Sequence, residues 1–528
     1  MRPLLTVIVP VYNGGDEIVE NVEVIRAAVT SELADDEVEL IVVSDGSIDG
    51  TAERLLERRS DHRIRVLHYD RNLGKGYAVK AGALAAHGSW VALVDADLDL
   101  DPRSVPRYLD VARRESLDFV IGSKRHPESV VVYPRSRRIA SWCYQQLNRL
   151  LFRLDVSDTQ VGLKVFSRGV VDTVFPLLLV KRFAFDLELL AVGTALGCGR
   201  IRELPVRLEY QFSGSELRSR AVGRALWDTA AIFYRLRILR TYQRKRGLVR
   251  GASALLPESQ PLVSLVGDGT VAATLDYARI ELAGDVESAR GELLALVGRR
   301  ARPAGNWITA AVAYFRDADV AAVVVPAVTP PQASFRERVA AAVLESRFGG
   351  GSRRSRYFPG NVRLVADLPT DTIIIRRDDF DAAVDRERLV AWLAERGRKT
   401  VYTPDTSVSV PPPPVVRPHF AATFAHARSR GAAGRATRGT SSSAETALTL
   451  APAAIAASGA ALIALGSQSV RDVGYGLVGA YAVSIGVSAT LAALRFRSAG
   501  VGLAAAPVFV GTHATYIAGF VRGFVGRP

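Results

Sequence analysis

The stretch Trp90 to Pro102, WVALVDADLDLDP, sets Asp95, Asp97, Asp99 and Asp101 at alternate positions directly after an apolar run. Val91, Ala92, Leu93 and Val94 are enough for a short buried strand. Acids this close together at the end of such a strand repel one another unless a cation sits between them. An all-oxygen donor set suits a hard divalent ion, Mg²⁺ or Mn²⁺. These four acids are therefore candidates for holding a metal. A lone Asp-x-Asp also recurs by chance as a solvated turn, here closed by Asp101-Pro102, so its neighbours decide its meaning.

The elements that must position these acids are written in residues 1 to 122. Apolar and β-branched runs at residues 4–9, 38–43, 63–67, 90–94 and 119–121 predict strands, and the segments between, such as 16–33 and 74–86, predict helices. That alternation implies an α/β fold with a doubly wound, mostly parallel sheet, whose ligands bind at the carboxyl ends of the strands. Pro10, Tyr12 and Asn13 follow the first strand, Ser44-Asp45-Gly46-Ser47 the second, Asn72-Leu73-Gly74-Lys75-Gly76 the third and the aspartates the fourth. These groups are expected to share one cleft. Gly74 and Gly76 allow close approach at a helix start, where free N–H groups and Lys75 can receive phosphate. No GxxxxGK[ST] loop is present, which disfavours a P-loop nucleotidase.

The chain has 528 residues, room for about three domains, and 48% of them are apolar. A mean hydropathy of +0.12 is high for a purely soluble protein and predicts a membrane portion. The net charge of +14 would suit nucleic acid, but no helix-turn-helix, zinc-finger or aromatic-basic pattern accompanies it. An anionic membrane face or phosphorylated substrates fit better, and nucleic acid is not expected as a partner. Cys143 and Cys198 both lie in apolar sequence and read as core thiols of a reducing compartment. The N-terminal apolar run is too short for a signal peptide, so the chain is expected to start in the cytoplasm.

In order, PVYN (10–13), SDGSIDGT (44–51), NLGKGYAVKAG (72–82), DADLD (95–99), GSK (122–124), DTQVGLKVFSR (158–168) and FAFDLELL (183–190) resemble the family 2 glycosyltransferases of GT-A fold. Within that family the resemblance is greatest to dolichyl-phosphate or polyprenyl-phosphate glucosyltransferases, with the mannosyltransferases next. It covers about residues 1 to 240. It implies Asp45 on the nucleotide base, flanked by Pro10 and Tyr12, with Asn13 of the same motif also binding substrate, and Asp95, Asp97 and Asp99 around the metal and diphosphate. Lys124 stands where the family usually has Arg. Two of the family's acids are replaced, by Gly14 and Ser44, and Glu216 stands where a Lys is common. Arg218 or Arg220 would have to substitute for that Lys.

Moving a sugar from a nucleoside diphosphate requires stabilising the departing diphosphate, which a metal held by Asp95 and Asp97 does as a Lewis acid. Asp97 is for this reason also a catalytic candidate. A lipid phosphate acceptor is already anionic near neutrality, its second pKa being about 6, and needs a cationic seat more than a base. Lys124, Arg125 and His126, followed by Arg135, Arg137 and Arg138, offer such a seat, although basic runs are as often solvated faces. A hydroxyl acceptor would need a general base. The resemblance places Asp186 where many relatives carry one, and Asp158 opens the DTQ motif. Each can instead be an acid satisfying donors at a helix start, and the two stand as equal candidates.

Residues 217 to 250 carry ten Lys and Arg against Asp228, with Val222, Leu226, Ala230, Phe233 and Leu236 at helical spacing. That pattern predicts a basic amphipathic helix, on a membrane surface or packed on the domain. Residues 305–328, 337–361, 370–380 and 401–410 resemble the later half of a second family 2 glycosyltransferase. Val297-Gly298-Arg299-Arg300 replaces its acids, and arginines cannot ligate Mg²⁺, so this unit is expected to be an inactive copy that supports, docks or regulates. A Pro-rich stretch and a flexible basic linker (428–443) follow. Three apolar segments, 448–467, 473–494 and 499–521, are each long enough to span a bilayer, and Arg495 and Arg497 fit a cytoplasmic loop. His513 reads as a helix-packing residue beside Tyr516.

The expected plan is a GT-A domain (1–246), a degenerate GT-A-like domain (262–415) and a membrane domain of about three spans (447–524), multi-pass in the cell membrane with both globular domains in the cytoplasm, compatible with a homo-oligomer. The expected activity is hexose transfer, glucose from UDP-glucose, to polyprenyl phosphate. Transfer to a growing glycan or another hydroxyl, or mannose from GDP-mannose, is the enzymatic alternative. A membrane scaffold that senses nucleotide sugars is the non-enzymatic one.

Overall fold

The computed structural model describes residues 2–57, 64–69, 72–131, 135–182, 184–208, 219–249, 259–267, 269–298, 300–436 and 442–525. Strands β1 (Leu5–Val11), β2 (Val38–Asp45), β3 (Ile64–Tyr69), β4 (Trp90–Val94), β5 (Phe119–Ser123), β6 (Leu163–Ser167) and β7 (Ile201–Pro205) form one sheet in the order β3-β2-β1-β4-β6-β5-β7. β1 to β4 run parallel, β6 is antiparallel to both neighbours, and β5 and β7 are parallel. The strands read as continuous apolar runs because both faces are covered. Val7, Val9, Val42 and Val94 face the helices Ile18–Thr30 and Ser104–Arg114, while Ile8, Ile41, Val43 and Leu93 face Lys75–Ala85 and Phe185–Ala195. β1 and β2 extend two residues past their apolar runs. Ladder pairing continues through Val11 with Ser44, because a parallel ladder bonds backbone whatever the side chain.

The second sheet contains β8 (Val263–Val266), β9 (Ile280–Ala283), β10 (Leu293–Leu296), β11 (Val320–Val324), β12 (Arg363–Leu364), β13 (Ile373–Arg376) and β14 (Lys399–Tyr402), in the order β9-β8-β10-β13-β11-β14-β12. Matching β8, β9, β10, β11, β13 and β14 to β1, β2, β4, β5, β6 and β7 reproduces the neighbours and every strand direction of the first sheet. β3 has no counterpart, and β12 is an added antiparallel edge. The likeness therefore extends to both halves of the second unit, beyond the later half that its sequence resembles.

One side-chain motif recurs with the topology. At the amino ends of the first sheet's strands, Thr6 Oγ1 donates to Glu39 (2.6 Å) and accepts from the Gly88 amide (2.8 Å). In the second, Ser264 Oγ donates to Glu281 and accepts from the Gly291 amide (2.7 Å). A Cβ on Gly88 would lie 2.5 Å from the Thr6 nitrogen, and one on Gly291 2.6 Å from the Ser264 nitrogen. Both glycines are there because the neighbouring backbone leaves no room.

The two sheets share one core, in which Trp307, Ile308 and Ala311 continue the cluster built on Ile8 and Val43. Lys80 spans the junction. Its buried Nζ lies 2.6 Å from Asp405 Oδ1 and donates to the carbonyls of Pro176 (3.0 Å) and Leu178 (3.1 Å).

Two expectations need correction here. Cys143 is exposed, on a helix face (Arg135–Phe152) that also shows Trp142 and Leu150 to solvent; only Cys198 is partly buried. The basic stretch after residue 428 is helical as far as Ala436, inside Arg417–Ala436. Gly431 is a packing residue there, since a Cβ on it would lie 2.2 Å from the Phe520 carbonyl oxygen of the last helix. Residues 437–441 lie outside the described residues. Gln468–Arg495 and Ala499–Val525 are long and apolar enough to cross a membrane, while the side chains of residues 442–450 and Ala453, in the helix before them, lie outside the described residues.

Candidate active site

The loops after β1 and β2 are tied together. Asn13 adopts a left-handed backbone (φ 53°), accepts from the Ile48 amide at Oδ1 (3.0 Å) and donates its own amide to Ser47 Oγ (3.1 Å). The amides of Gly14 and Gly15 donate to Thr51 Oγ1 (2.9 Å) and Asp49 Oδ2 (3.0 Å). A Cβ on Gly14 would lie 2.8 Å from Val11 Cγ2, so packing explains why no acid stands there. Pro10 is the last residue but one of β1, and Tyr12, just past the strand, projects with 49% of its surface exposed.

Asp45, at the end of β2, is buried and accepts from the Tyr69 hydroxyl (2.9 Å) and from the amides of Leu73 (2.7 Å) and Gly74 (2.9 Å). Burial raises its carboxyl against those three bonds. A carboxylate has about four acceptor positions, so Asp45 has room for one further donor. Its first role is to hold the turn that starts the helix Lys75–Ala85. The amides of that turn are not free as expected. Those of Leu73 and Gly74 go to Asp45, and that of Gly76 goes to the Lys181 carbonyl (3.0 Å), because buried backbone donors must be satisfied. Gly74 is required at φ 103°, with a virtual Cβ 2.2 Å from the same carbonyl oxygen.

Lys75 reaches across to the exit of β4, where its Nζ lies 2.6 Å from Asp95 Oδ1. Burial raises the Asp95 carboxyl while Lys75 opposes the rise, and the charges of Asp97 and Asp186 add to it. Gly162, just before β6, makes room for this carboxylate: a Cβ there would lie 1.8 Å from Asp95 Oδ2. Asp97 is exposed and accepts from the Asp99 amide (3.2 Å) around Leu98 at φ 59°. Burial, then the charges of Asp97 and Asp95, raise the Asp99 carboxyl. The expected three-carboxylate cluster is not assembled; among the described residues no three Asp, Glu, His or Cys side chains are gathered to hold a metal. The acids repel one another, and Lys75 holds Asp95. Mg²⁺ is commonly held by one or two carboxylates together with substrate phosphates, and Asp95 and Asp97 fit that mode.

Asp186 sits in the first turn of Phe185–Ala195, but its carboxylate faces the buried Lys164 Nζ at 2.7 Å instead of capping the helix. Its charge reaches both Lys75 and Asp95. Asp158 lies in a loop, where it accepts from the amides of Lys124 (3.3 Å) and Gln160 (3.1 Å), while Glu203 holds its own amide (3.1 Å). Lys124 Nζ donates to the Gln160 carbonyl (3.4 Å), and Arg125 stands next to it, half-buried. The structure thus pairs Asp95 with Lys75, leaves Asp97, Asp99 and Asp186 within electrostatic reach of that pair, and holds Asp158 with Lys124 on another loop. The side chains of Arg135, Arg137, Arg138 and Arg220, and all of Arg218, lie outside the described residues. Gly162, Lys164, Glu203 and Lys80 are positioning residues that local sequence does not single out; for Gly162 and Lys164 the signal was the DTQVGLK motif containing both.

A mixed seven-stranded α/β sheet of this order, with an Asp-x-Asp at the exit of its fourth strand, is a GT-A-like fold. Residues 6–175 match the family described as Glycosyl transferase family 2, and this part of the chain is a domain of that family. The chain is 34% identical over 208 residues to glycosyltransferase AglD of Haloferax volcanii, covering 39% of this chain and 33% of the relative. It is 34% identical over 167 residues to a dolichyl-phosphate beta-glucosyltransferase of Dictyostelium discoideum, covering 30% of this chain and 51% of that one. The matched region thus spans a third to a half of these relatives. Glucosyl-3-phosphoglycerate synthase from Mycobacterium tuberculosis, solved with Mn²⁺, UDP-glucose and phosphoglyceric acid, matches 44% of this chain and 79% of its own at 19% identity and a TM-score of 0.32.

Proposed function

We propose that the protein is a membrane-anchored transferase that moves a hexose, glucose from UDP-glucose foremost, to the phosphate of a polyprenyl lipid. The observation that carries this reading is the Asp95–Lys75 pair at the exit of β4, set within a family 2 domain related to an enzyme named for dolichyl phosphate. In this reading Asp95 and Asp97 hold Mg²⁺ or Mn²⁺, which as a Lewis acid takes up charge on the departing diphosphate. Lys75 supplies a fixed positive charge on the same side. Asp45 offers its remaining acceptor position to the base, with Tyr12 and Asn13 beside it. Lys124 and Arg125 seat the acceptor phosphate, on a loop fixed by Asp158. Asp186 is neutralised by Lys164, which suits an acceptor already ionised and needing no strong base.

A membrane setting is supported by the two apolar C-terminal helices and by the helix Ser219–Phe233. That helix buries Thr229 and Ile232 and shows Leu226 and Trp227 to solvent beside Arg224. The predicted apolar stripe through Leu226 and Ala230 therefore faces outward. In the second domain, Val297 and Gly298 follow β10 where Asp95 follows β4, and Arg300 pairs with Glu337 (2.9 Å). Arg299 lies outside the described residues. We read this domain as a copy of the first that has lost its chemistry and braces the working site through Asp405.

The test is incubation of the full chain in detergent with Mn²⁺, UDP-glucose or GDP-mannose, and polyprenyl phosphate or polyprenol, followed by mass analysis of the lipid. A hexosyl phosphate lipid from UDP-glucose is expected. Product only from GDP-mannose would change the sugar, and transfer only to hydroxyl acceptors would overturn the lipid phosphate. Nucleotide-sugar binding without turnover on any acceptor would favour the sensing scaffold.

A further inference from the structure

On the helix Arg417–Ala436, Thr423, His426 and Arg430 share one face, at helical spacings of three and four. Arg353, from the turn Gly351–Arg353 of the second domain, donates to Thr423 Oγ1 (3.0 Å). Arg430 pairs with Asp367 of that domain (2.6 Å), and the His426 ring lies 6.2 Å from the ring of Tyr516 on the last helix. Arg356 completes the group, its nearest carboxylate being Glu387 at 3.9 Å on the exposed rim. Arg353 makes no ion pair among the described residues. Three partly buried guanidinium groups thus stand near one another, with Asp367 and the more exposed Glu387 paired to two of them.

The polar atoms point the same way. His426 Nε2 and Arg356 Nε are buried without a hydrogen-bond partner. Burial, then the charges of Arg353, Arg430 and Arg356, push the His426 imidazole down to about 3, so near neutrality it is uncharged. Burial and the neighbouring Arg356 also lower Arg353. A buried guanidinium N–H and a buried imidazole nitrogen without partners, beside three like charges, are costly unless an anion completes the set. A phosphate supplies both several oxygen acceptors and negative charge, and guanidinium groups bind it through paired N–H bonds.

We propose that Arg353, Arg356 and His426 form a phosphate seat between the second domain and the C-terminal helices, and that a lipid phosphate fills it. The lipid source follows from position: Tyr516 belongs to a helix apolar enough to cross a membrane, and Leu503, Val510, Val521 and Phe524 of that helix are exposed. This seat is separate from the Asp95 site and stands whether or not that site transfers glucose.

The test uses the full chain in neutral detergent, stripped of lipid, with native mass spectrometry and thermal melting in phosphatidylglycerol, phosphatidylcholine or inorganic phosphate. Phosphatidylglycerol is expected to bind at least about tenfold more tightly than phosphatidylcholine, and Arg353→Gln with Arg356→Gln to remove that preference. Without lipid, Arg356→Gln alone is expected to melt no lower than wild type, because it relieves repulsion. Should the double variant fail to fold, Arg353→Lys, which keeps the charge but loses the fork, is expected to weaken the same binding. Equal stabilisation by inorganic phosphate and phosphatidylglycerol would overturn the lipid occupant. Undiminished phosphatidylglycerol binding in the folded variants would overturn the seat.

Discussion

The two sheets differ most where their carboxyl ends would meet a ligand and least where their strands begin. At the beginnings, Thr6, Glu39 and Gly88 are matched by Ser264, Glu281 and Gly291, bond for bond. At the exits, Asp95 nests against Gly162, whereas in the second sheet glycine and acid have changed sides: Gly298 follows β10, and a Cβ on it would lie 2.2 Å from Asp371 Oδ2 of the chain entering β13. The two sheets thus share the contacts that close their cores and differ in their exit loops. Function resides in the site and not in the fold.

That contrast is broken most directly by Asp95→Asn with Asp97→Asn. Transfer measured by lipid product is expected to fall about a thousandfold or more, with the melting temperature little changed, although the second domain is intact. Residual transfer that vanishes when the second domain's exit loop is also altered would show both sites to be active. A paired glycine substitution sharpens the comparison. Gly162→Ala drives a methyl into Asp95 and is expected to lower transfer on the order of a hundredfold, since displacing a positioned group by about 1 Å has that effect. Gly298→Ala makes the same collision with Asp371 and is expected to leave transfer unchanged while lowering stability. Equal losses of activity would put the second exit loop in the reaction.

Between the two domains stands Asp405. Asp405→Asn leaves Lys80 buried and uncompensated, and is expected to cost about 3–5 kcal/mol of unfolding free energy. Lys80 lies on the helix that carries Lys75, and the Tyr77 hydroxyl of that helix donates to the Asp405 carbonyl (3.3 Å). A rise in donor KM with kcat nearly kept is therefore expected. A loss of stability alone would make the junction merely structural.

Much of the first domain is legible in sequence because a strand covered on both faces announces itself as an apolar run and its ligand loop as the polar residues ending it. Asp95 and Asp45 were found that way. What local pattern cannot show is which donor a carboxylate already holds. Asp45 is committed to Leu73 and Gly74 by a contact across 28 residues, and Lys75, expected on phosphate, lies against Asp95. The same limit hid the helix at Arg417–Ala436, whose Gly, Ala and Arg content resembles a linker until Phe520 packs against Gly431.

The smallest test uses the shared motif itself. Glu39 is held by Thr6, His87 and Arg65 under the cover of β3, and its carboxyl is lowered to about 2 even though burial, the largest influence, acts to raise it; the His87 hydrogen bond leads the lowering influences. Glu281 is also lowered, by Ser264 and the amides of Arg290 and Gly291, but β9 is an edge strand with no counterpart of β3. A carboxyl depressed in the folded state contributes stability above its unfolded value, here about 4.5, and loses it as pH falls towards the folded value. For Glu39 that contribution is on the order of 3 kcal/mol, lost between about pH 4.5 and pH 2. Glu39→Gln is therefore expected to destabilise the protein at neutral pH and flatten its acid unfolding across that window, whereas Glu281→Gln moves the curve far less because water already reaches that carboxylate. Acid unfolding followed by far-ultraviolet circular dichroism reads both. Equal slopes in the two variants would mean that the missing strand, and with it the edge position of Glu281, makes no difference to what the shared motif contributes.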